Sequence, residues 1–387
     1  MGVYYPKSWR DLMPSGARSS LSLRAIAISE LEDSGNILQS EFWGKFRAGP
    51  NWTPLAFHWE FQTSSGSFLL LLRHFYLGLK FAYIPYGPKI PDNLKSEELS
   101  QCLCALAVEL RTYLSAACLF IRFDLAEKTG ESRILEKNPK SYPMDSDRNS
   151  HRHMIQLTRP LRRAPYRVQP QSTMILNLGV NEKQLLASMH KKTRYNIGLS
   201  ARRGVVVTRY VDQLAISRLS QWYRLYQETA ARDRISIHDM AYYKRLFEIN
   251  ATTAQPQFSL YIAEHHGDTL AGVIVARFGG RATYMYGASG ALKREMMPNH
   301  LLQWIAIRDA KAEGATEYDF FGIPHADSPN HPMHGLWRFK VGFGGTILHY
   351  LGAWDYSYRP ILYHLFCCTE RLRGYLVNRR KAKRKLD

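Results

Sequence analysis

Acidic residues are scarce in this chain. Its 387 residues include 33 Asp and Glu against 52 Lys and Arg, which gives a formal net charge of +19. Such an excess favours polyanionic partners, namely nucleic acid, anionic lipid headgroups or phosphate-bearing substrates. Charge alone does not choose among these three classes.

Cysteines are also few, and they show no pattern that would bind a metal. The odd number and the apolar surroundings of most of them favour reduced, buried thiols over disulfides. No pair of cysteines has a partner pair at zinc-site spacing, and the 14 histidines include no HExxH motif. We expect neither a metal site nor a cofactor. The five cysteines are Cys102, Cys104, Cys118, Cys367 and Cys368.

No segment has the length and hydrophobicity of a membrane span. The most apolar run, residues 68–84, is interrupted by Arg73, His74 and Lys80. The first seven residues lack the apolar core of a signal peptide. We therefore expect a cytoplasmic protein.

The length predicts two domains, and the 45% content of hydrophobic residues predicts a folded chain. A polar loop is expected over 126–153. Apolar periodicity predicts helices over 40–46, 96–117, 183–203, 216–230, 239–249 and 298–313. Strands are expected over 52–61, 67–75, 79–86, 118–123, 205–211, 258–264, 270–278, 281–287 and 318–322.

The two halves of the chain share a local pattern. Tyr83-Ile84-Pro85-Tyr86-Gly87, a helix and then Phe120-Ile121-Arg122-Phe123 form the first copy. Tyr284-Met285-Tyr286-Gly287, a helix and then Tyr318-Asp319-Phe320-Phe321 form the second. This repetition indicates duplicated α/β domains.

One lysine late in the chain lies between apolar residues. In Trp337-Arg338-Phe339-Lys340-Val341-Gly342-Phe343-Gly344-Gly345, three glycines follow Lys340 closely. Partial desolvation would leave the lysine charge poorly screened, and glycines permit sharp turns and the close approach of a ligand. The motif can present a fixed positive charge to a reacting group. In the alternative, a short helix sends its aromatic residues into the core while Lys340 reaches water.

Four stretches, in order across residues 22–356, carry a resemblance to a known family. They are Phe42-Trp43-Gly44-Lys45, Ile121-Arg122-Phe123-Asp124, Thr283-Tyr284-Met285-Tyr286 and Phe339-Lys340. The chain resembles the Fem family (FemABX), bacterial transferases that move an amino acid from aminoacyl-tRNA onto the stem peptide of a peptidoglycan precursor. The resemblance implies cell wall biogenesis, and with it a role in cell shape.

The resemblance also implies a fold of α/β class with mixed sheets. We expect two tandem GNAT-like domains, with a C-terminal helix returning to the first. The first domain would cover 22–165 and be completed by 347–378, the second would cover 166–346, and 379–387 would form a basic tail. No heptad-bearing insertion interrupts the second domain, so the chain resembles the members without a coiled-coil arm.

By resemblance, Lys340 stabilises the negative charge of the transition state and Phe339 shapes its site. Asp124 matches a family aspartate near the acceptor amine, where it would orient the amine or accept a proton. A structural aspartate at a strand end is the alternative.

Further residues are expected to bind the acceptor. Lys45 falls where the family binds the diphosphate of the precursor, and we place Trp43 and Arg122 in the same set, although Lys45 and Arg122 also fit ordinary surface charges. His238 aligns with the family's second diphosphate residue, an arginine, so Arg232 or Arg234 would substitute or the precursor would lie differently. The tyrosines expected to line the acceptor cleft are Tyr242 and Tyr286.

A run of basic residues without acids is expected on one helix. It provides a solvated face or, with tRNA as donor, a phosphate contact at which Tyr195 stacks on a base. The run consists of Lys191, Lys192, Arg194, Arg202 and Arg203.

The C-terminal segment, 360–386, begins apolar and ends in a cluster of arginines and lysines. It predicts either a helix packed on the first domain with a solvated tail, or a contact with RNA or the inner leaflet of the membrane. The expected partners are thus aminoacyl-tRNA as donor and a UDP-linked or lipid-linked muropeptide as acceptor, bound by a monomer.

Two other functions fit parts of the pattern. A CoA-dependent N-acyltransferase would share the GNAT-like fold, but its Gln/Arg-x-x-Gly-x-Gly/Ala loop is absent from 87–91 and 287–291. A non-catalytic RNA- or membrane-binding protein would leave Lys340 without a purpose.

Overall fold

The computed structural model of this chain describes residues 21–90, 94–133, 157–253, 255–324 and 333–383. For residues 130–133 and 373–383 it describes the backbone.

The described strands form one mixed sheet. Its order is β1-β2-β3-β4-β5-β13-β7-β12-β11-β10-β9-β8, and β6 pairs with β13. The strands are β1 (Leu21–Ile26), β2 (Trp52–Phe61), β3 (Ser64–His74), β4 (Lys80–Ile84), β5 (Cys118–Arg133), β6 (Arg162–Arg163), β7 (Ser172–Asn177), β8 (Val206–Tyr210), β9 (Gln257–His265), β10 (Asp268–Phe278), β11 (Arg281–Ser289), β12 (Glu317–Gly322) and β13 (Thr346–Ser357).

Helices cover both faces of this sheet. They are α1 (Glu41–Arg47), α2 (Ser96–Leu110), α3 (Glu182–Ser188), α4 (Lys191–Arg202), α5 (Asp212–Asp233), α6 (Met240–Asn250), α7 (Pro298–Ala312), α8 (His334–Val341) and α9 (Pro360–Lys383).

The same crossover occurs in both halves of the sheet. Strands β4 and β5 pair in parallel around α2, and β11 and β12 pair in parallel around α7. Between them, β13 pairs antiparallel with β5 and with β7, so the halves share one continuous sheet. The mixed α/β fold is confirmed. The domain limits at 165/166 and 346/347 stay predictions.

Helices also connect the two halves. The Phe42 ring of α1 packs against that of Phe258 with centroids 5.1 Å apart, and the Phe46 ring lies 4.8 Å from that of Tyr242 of α6. The last helix, α9, returns to the first half as predicted, with the Phe366 ring 4.9 Å from that of Phe120. No helix in the described ranges is long and apolar enough to cross a membrane.

Local capping explains where two of these helices begin. The Ser40 hydroxyl accepts a hydrogen bond from the Trp43 N–H at 3.1 Å, and the Asp239 carboxylate accepts one from the Tyr242 N–H at 3.0 Å. Each bond satisfies a backbone donor that has no partner in the first turn of the helix. The sequence predicted both helices within a residue of these starts.

Three predicted boundaries are wrong. The basic helix over 183–203 is two helices, since Met189 is extended and fully buried between α3 and α4. Residues 126–133 continue β5, because β13 offers a pairing partner along its length; the rest of the predicted loop, 134–153, lies outside the described residues. Helix α2 ends at Leu110 instead of residue 117.

Candidate functional site

Lys340 is buried at the end of a central strand. It belongs to α8 and is 5% exposed. Its Nζ donates to the carbonyl oxygens of Phe320 at 2.7 Å and Gly322 at 2.9 Å, where β12 ends. The same nitrogen lies 5.0 Å from the centre of the Tyr284 ring. The lysine is therefore directed inward, and the alternative in which it reaches water is wrong.

The surroundings of Lys340 make its charge easy to lose. Burial lowers the pKa of Lys340 to about 7, and the charge of Asp319 opposes this shift only in part. Asp319 is itself engaged, since it accepts hydrogen bonds from the Thr173 hydroxyl and, at 2.7 Å, from the Phe321 N–H. Within the described residues, no carboxylate forms an ion pair with Lys340. Its positive charge is therefore not neutralised by a close counter-ion.

Phe339 faces another part of the core. Its ring lies 5.2 Å from His300 and 5.3 Å from Phe343. Burial lowers the pKa of His300 to about 4, so this ring is neutral at physiological pH. The role of Phe339 in shaping the site of Lys340 stays a prediction.

The glycines after Lys340 make room for the chain itself. Gly344 and Gly345 have φ angles of +80° and +106°, which disfavour any side chain. A Cβ at Gly344 would lie 2.6 Å from the Ser188 carbonyl oxygen, and the Gly342 carbonyl accepts from the His190 N–H at 2.9 Å. The glycines thus let the end of α8 pack on the connection between α3 and α4.

Asp124 is the second buried titratable group near the centre of the sheet. It is 1% exposed, and its Oδ2 accepts from the Tyr83 hydroxyl at 2.9 Å and from the Gln169 N–H at 3.2 Å. Burial raises the pKa of Asp124 to about 6, although both hydrogen bonds favour the charged carboxylate. Such a group can take up or release a proton near neutral pH.

One short segment brings the surroundings of Asp124 and Lys340 together. Gln169 donates its N–H to Asp124, and the next residue, Pro170, accepts from the Tyr86 hydroxyl at 2.9 Å. Pro170 also lies so close to Gly322 that a Cβ there would be 2.5 Å from the proline ring. The Gly322 carbonyl accepts from Lys340. A series of direct contacts therefore links Lys340 to Asp124 through Gly322, Pro170 and Gln169.

An open cleft lies at the contact between α1 and α6. Its volume is about 410 Å³. The guanidinium groups of Arg47 and Arg73 lie 5.0 and 4.9 Å from the Trp52 ring, in cation–π geometry. Neither arginine forms an ion pair with an acidic side chain of the described residues, and burial together with Arg47 lowers the pKa of Arg73. The functional groups around this arginine cleft are Arg47, Trp52, Arg73, His238, Asp239, Tyr242 and Arg245.

Two of the predicted acceptor residues line this cleft, and a third adjoins it. His238 stacks on Tyr242 with centroids 3.9 Å apart, and the Tyr242 hydroxyl is 3.2 Å from that of Tyr286. Burial, followed by the charge of Arg47, lowers the pKa of His238, which leaves it neutral.

Trp43 and Lys45 of α1, which were also predicted to bind the acceptor, do not line the arginine cleft. Lys45 pairs with Glu41 on the exposed side of the helix at 2.8 Å, and Trp43 is 8% exposed in the core. Their roles in binding the acceptor stay predictions.

The arginines of the cleft are not among the residues predicted from the sequence. Arg47, Arg73 and Arg245 come from α1, the end of β3 and α6. No local motif joins these positions, because only the packing of α1 on α6 brings them together. The one available signal was Arg47, two residues after the lysine that the family resemblance singled out.

Arg122 belongs to a structural network. It is 1% exposed and donates through Nε and an Nη to the two oxygens of Asp355, at 2.8 and 2.9 Å. Asp355 also accepts from the Tyr363 hydroxyl at 3.0 Å, and Glu370 lies 3.6 Å from Arg122. These contacts join β5, β13 and α9, which favours a structural role over the predicted contact with substrate.

The predicted tRNA residues fall into two groups. Arg194 donates to the Ala187 carbonyl at 3.1 Å, and Arg203 donates to the Glu295 carbonyl at 2.6 Å, so both stabilise chain connections. Lys191, Lys192 and Arg202 are exposed on α4. The exposed group is the better candidate for phosphate contacts.

The cysteines are all free, and four of the five are buried; Cys368 is exposed. In the part of the chain that the structure describes, no three or more His, Cys, Asp or Glu side chains are arranged to hold a metal ion.

Known proteins share both the sequence pattern and the fold. Lipid II:glycine glycyltransferase of Staphylococcus aureus is 23% identical to this chain in an alignment 262 positions long, and the match covers 51% of this chain and 61% of that protein. This chain therefore matches less than two thirds of the length of that relative. The crystal structure of FemX superposes with a TM-score of 0.67 at 19% identity, over 89% of this chain and 100% of FemX.

The similarity to FemX shows that the two proteins share a fold. The model of the FemAB family matches residues 29–267 and 249–371. Because these matches cover most of the sequence, the chain belongs to the FemAB family.

Proposed function

We propose that this protein transfers an amino acid from aminoacyl-tRNA to the stem peptide of a peptidoglycan precursor. Membership of the FemAB family supports this function, as does the similarity to a lipid II:glycine glycyltransferase. The observation that carries the proposal is Lys340, a buried cation without a close counter-ion, which contacts through Gly322, Pro170 and Gln169 link to a candidate proton acceptor, Asp124.

In this reaction the amine of the substrate is itself the nucleophile. The protein therefore needs to supply a positive charge that stabilises the transition state and a base that accepts a proton. The amine of the stem peptide attacks the ester carbonyl carbon, the carbonyl oxygen becomes negative, and the ester bond to the tRNA ribose then breaks. Two N–H groups of Lys340 bond to carbonyls, and the third has only a contact of 3.5 Å with Phe321 O. This third group can donate to the oxyanion. Asp124 accepts the proton that the attacking amine loses, and the ribose oxygen takes up this proton as the ester bond breaks, so the tRNA leaves with a free hydroxyl group and the carboxylate is restored.

The arginine cleft fits the diphosphate of the precursor. Arg47 and Arg73 offer several N–H donors in a geometry suited to phosphate oxygens. They supply the charge that neutral His238 lacks. The precursor would then extend from the cleft, past Tyr242 and Tyr286, towards the centre of the sheet.

The donor would approach along α4. This helix begins beside the end of α8, where the His190 N–H donates to Gly342 O at 2.9 Å. Lys191 and Lys192 in its first turn, with Arg202 further along, would bind tRNA phosphates. A tRNA donor places the reaction in the cytoplasm, and the site described is formed by a single chain.

Incubation of the purified protein with charged tRNA and either UDP-linked or lipid-linked muropeptide tests the proposal. Mass spectrometry should show a gain of one aminoacyl residue on the stem peptide. The product should be absent when the tRNA is uncharged. If acetyl-CoA supports acylation and charged tRNA does not, the proposed donor is wrong.

A further inference from the structure

The last helix, α9, has apolar residues on two opposite faces. On the inner face, Tyr363 and Cys367 are buried, and the Phe366 ring lies 4.9 Å from Phe120 and 5.7 Å from Phe75. This face is covered by β4, β5 and the turn before β4.

The outer face is apolar as well, and it is exposed. Ile361, Leu365 and Leu372 are 75%, 59% and 58% exposed, and Cys368 between them is also exposed. Steps of three and four residues place these positions in one stripe, on the side of α9 opposite Tyr363 and Cys367. A helix on the surface of a globular protein normally carries polar residues there. We name these four residues the outer stripe.

The sequence that follows the outer stripe is strongly basic. Residues 371–385 contain eight arginines and lysines and no acid. An anionic lipid surface offers matching charge and a place for apolar side chains at the level of the headgroups. A second copy of the helix would bring like charges together. RNA would pair its phosphates with the basic residues but would offer no apolar surface to the outer stripe.

Ring contacts connect α9 to the arginine cleft. The rings of Phe366 and Phe81 lie 6.1 Å apart, and those of Phe81 and Trp52 also lie 6.1 Å apart. The Trp52 ring in turn contacts the guanidinium groups of Arg47 and Arg73. The cleft is thus two ring contacts away from the helix.

Another exposed apolar residue, outside α9, lies in the turn between β3 and β4. This residue, Leu77, is 96% exposed with a φ angle of +62°. The Phe75 N–H donates to the Leu79 carbonyl at 2.8 Å and closes this turn, while Phe75 packs on Phe366. A leucine in the left-handed backbone region is strained, because its Cβ crowds the following carbonyl oxygen. The turn that packs on α9 through Phe75 therefore also exposes a leucine to solvent.

We infer that the outer stripe of α9 inserts into the headgroup region of an anionic membrane, and that the positive charge of the sequence over 371–385 adds electrostatic attraction to the lipid phosphates. The arginine cleft then lies two ring contacts from a helix bound to the membrane. Under the proposed function, on which this step rests, such a position favours a lipid-linked precursor over a soluble one.

Co-sedimentation of the full chain with vesicles tests the contact directly. The protein should bind vesicles of phosphatidylglycerol and phosphatidylcholine, and bind pure phosphatidylcholine at least tenfold more weakly. The triple variant Ile361→Ser, Leu365→Ser, Leu372→Ser should lose at least tenfold in partitioning. So should replacement of Arg379, Arg380, Lys381, Lys383, Arg384 and Lys385 by glutamine.

A matched control uses exposed apolar residues elsewhere on the molecule. Val206 and Leu214 are 62% and 65% exposed around β8 and α5. The variant Val206→Ser, Leu214→Ser should bind vesicles as the parent does. Equal loss in this variant would mean that general surface hydrophobicity, and not α9, drives the binding.

Other results would overturn the inference. One is full binding of the triple serine variant to anionic vesicles. Another is a dimer, seen by light scattering without lipid, that the same variant converts to a monomer, since the partner of α9 would then be a second copy. Preferential binding of RNA that depends on the basic residues and not on the outer stripe would point to a nucleic acid.

The outcome is separable from the transferase proposal. Vesicle binding needs no turnover, so it can hold even if no precursor is modified. Conversely, the triple serine variant should keep parental rates on a soluble UDP-linked precursor and lose activity only on a lipid-linked precursor presented in vesicles.

Discussion

Arg122 and Lys340 are both buried cations, one on strand β5 in the first half of the chain and one on helix α8 in the second. Arg122 is 1% exposed and Lys340 is 5% exposed, yet their surroundings differ in one respect. Arg122 meets the carboxylate of Asp355 in two hydrogen bonds, whereas Lys340 meets backbone carbonyls and an aromatic ring. Burial alone therefore does not distinguish these two cations; the presence or absence of a close counter-ion does.

The two groups respond to burial in opposite directions. Burial alone would lower the pKa of Arg122, but the hydrogen bonds and the charge of Asp355 outweigh it and raise that pKa. Lys340 has only the more distant Asp319, so burial wins and its pKa falls to about 7. The first cation is therefore permanently charged and satisfied, and the second is available to a developing negative charge.

The largest effect is expected on the structural side of the comparison. Arg122→Met leaves the Asp355 carboxylate buried without its partner, so the free energy of unfolding should fall by about 3–5 kcal/mol. Urea denaturation measures this loss. The double variant Arg122→Met, Asp355→Leu should recover most of it, because no unpaired charge then remains. A stable single variant with a raised KM would restore the predicted substrate role of Arg122.

On the functional side, Lys340→Met removes a charge and keeps most of the side-chain volume. We expect kcat to fall by about 10²-fold or more, with a melting temperature near that of the parent. Arg338→Met on the same helix is the control, since Arg338 is exposed and should keep parental turnover. Near-parental kcat in soluble Lys340→Met would remove this lysine from the mechanism.

A smaller effect is expected in the arginine cleft. Arg73→Gln should raise the KM for the precursor by about tenfold with little change in kcat, because a phosphate contact acts mainly on binding. Lys244→Gln is the control, since Lys244 is an exposed cation of α6 that pairs with Glu248 at 3.4 Å.

A variant of Lys45 distinguishes between two locations of the diphosphate, one at Lys45 and one in the arginine cleft. Lys45→Ala should raise the KM as much as Arg73→Gln only if the diphosphate lies where the family resemblance placed it. A change confined to Lys45→Ala would contradict the assignment of the cleft.

The smallest effect concerns pH. The proposed reaction uses ionised Asp124, so kcat should fall as the pH drops through the Asp124 pKa of about 6. It also uses protonated Lys340, so kcat should fall as the pH rises through the Lys340 pKa of about 7. Between pH 6.5 and 7.5 the decline should be roughly two- to threefold. In Asp124→Asn the acid limb should disappear and the alkaline limb remain. An unchanged acid limb would assign the base to another group.

Much of the fold could be read from local patterns. Strand β2 runs over the residues that alternation predicted, and α1 begins next to its capping serine. The failures share one cause. Residues 126–133 are polar, but they extend β5 because β13 pairs with them, and Met189 ends α3 because its side chain is buried in the core.

The sequence by itself determined the family pattern, the mixed α/β class and the candidate cation Lys340, because these depend on residue types at short spacing. Only the tertiary structure decided that Arg122 is paired, that Arg47 and Arg73 share a cleft, and that Pro170 lies between the surroundings of Asp124 and Lys340. These relations join residues far apart in the chain. Sheet register and helix packing set them, and no local pattern records either.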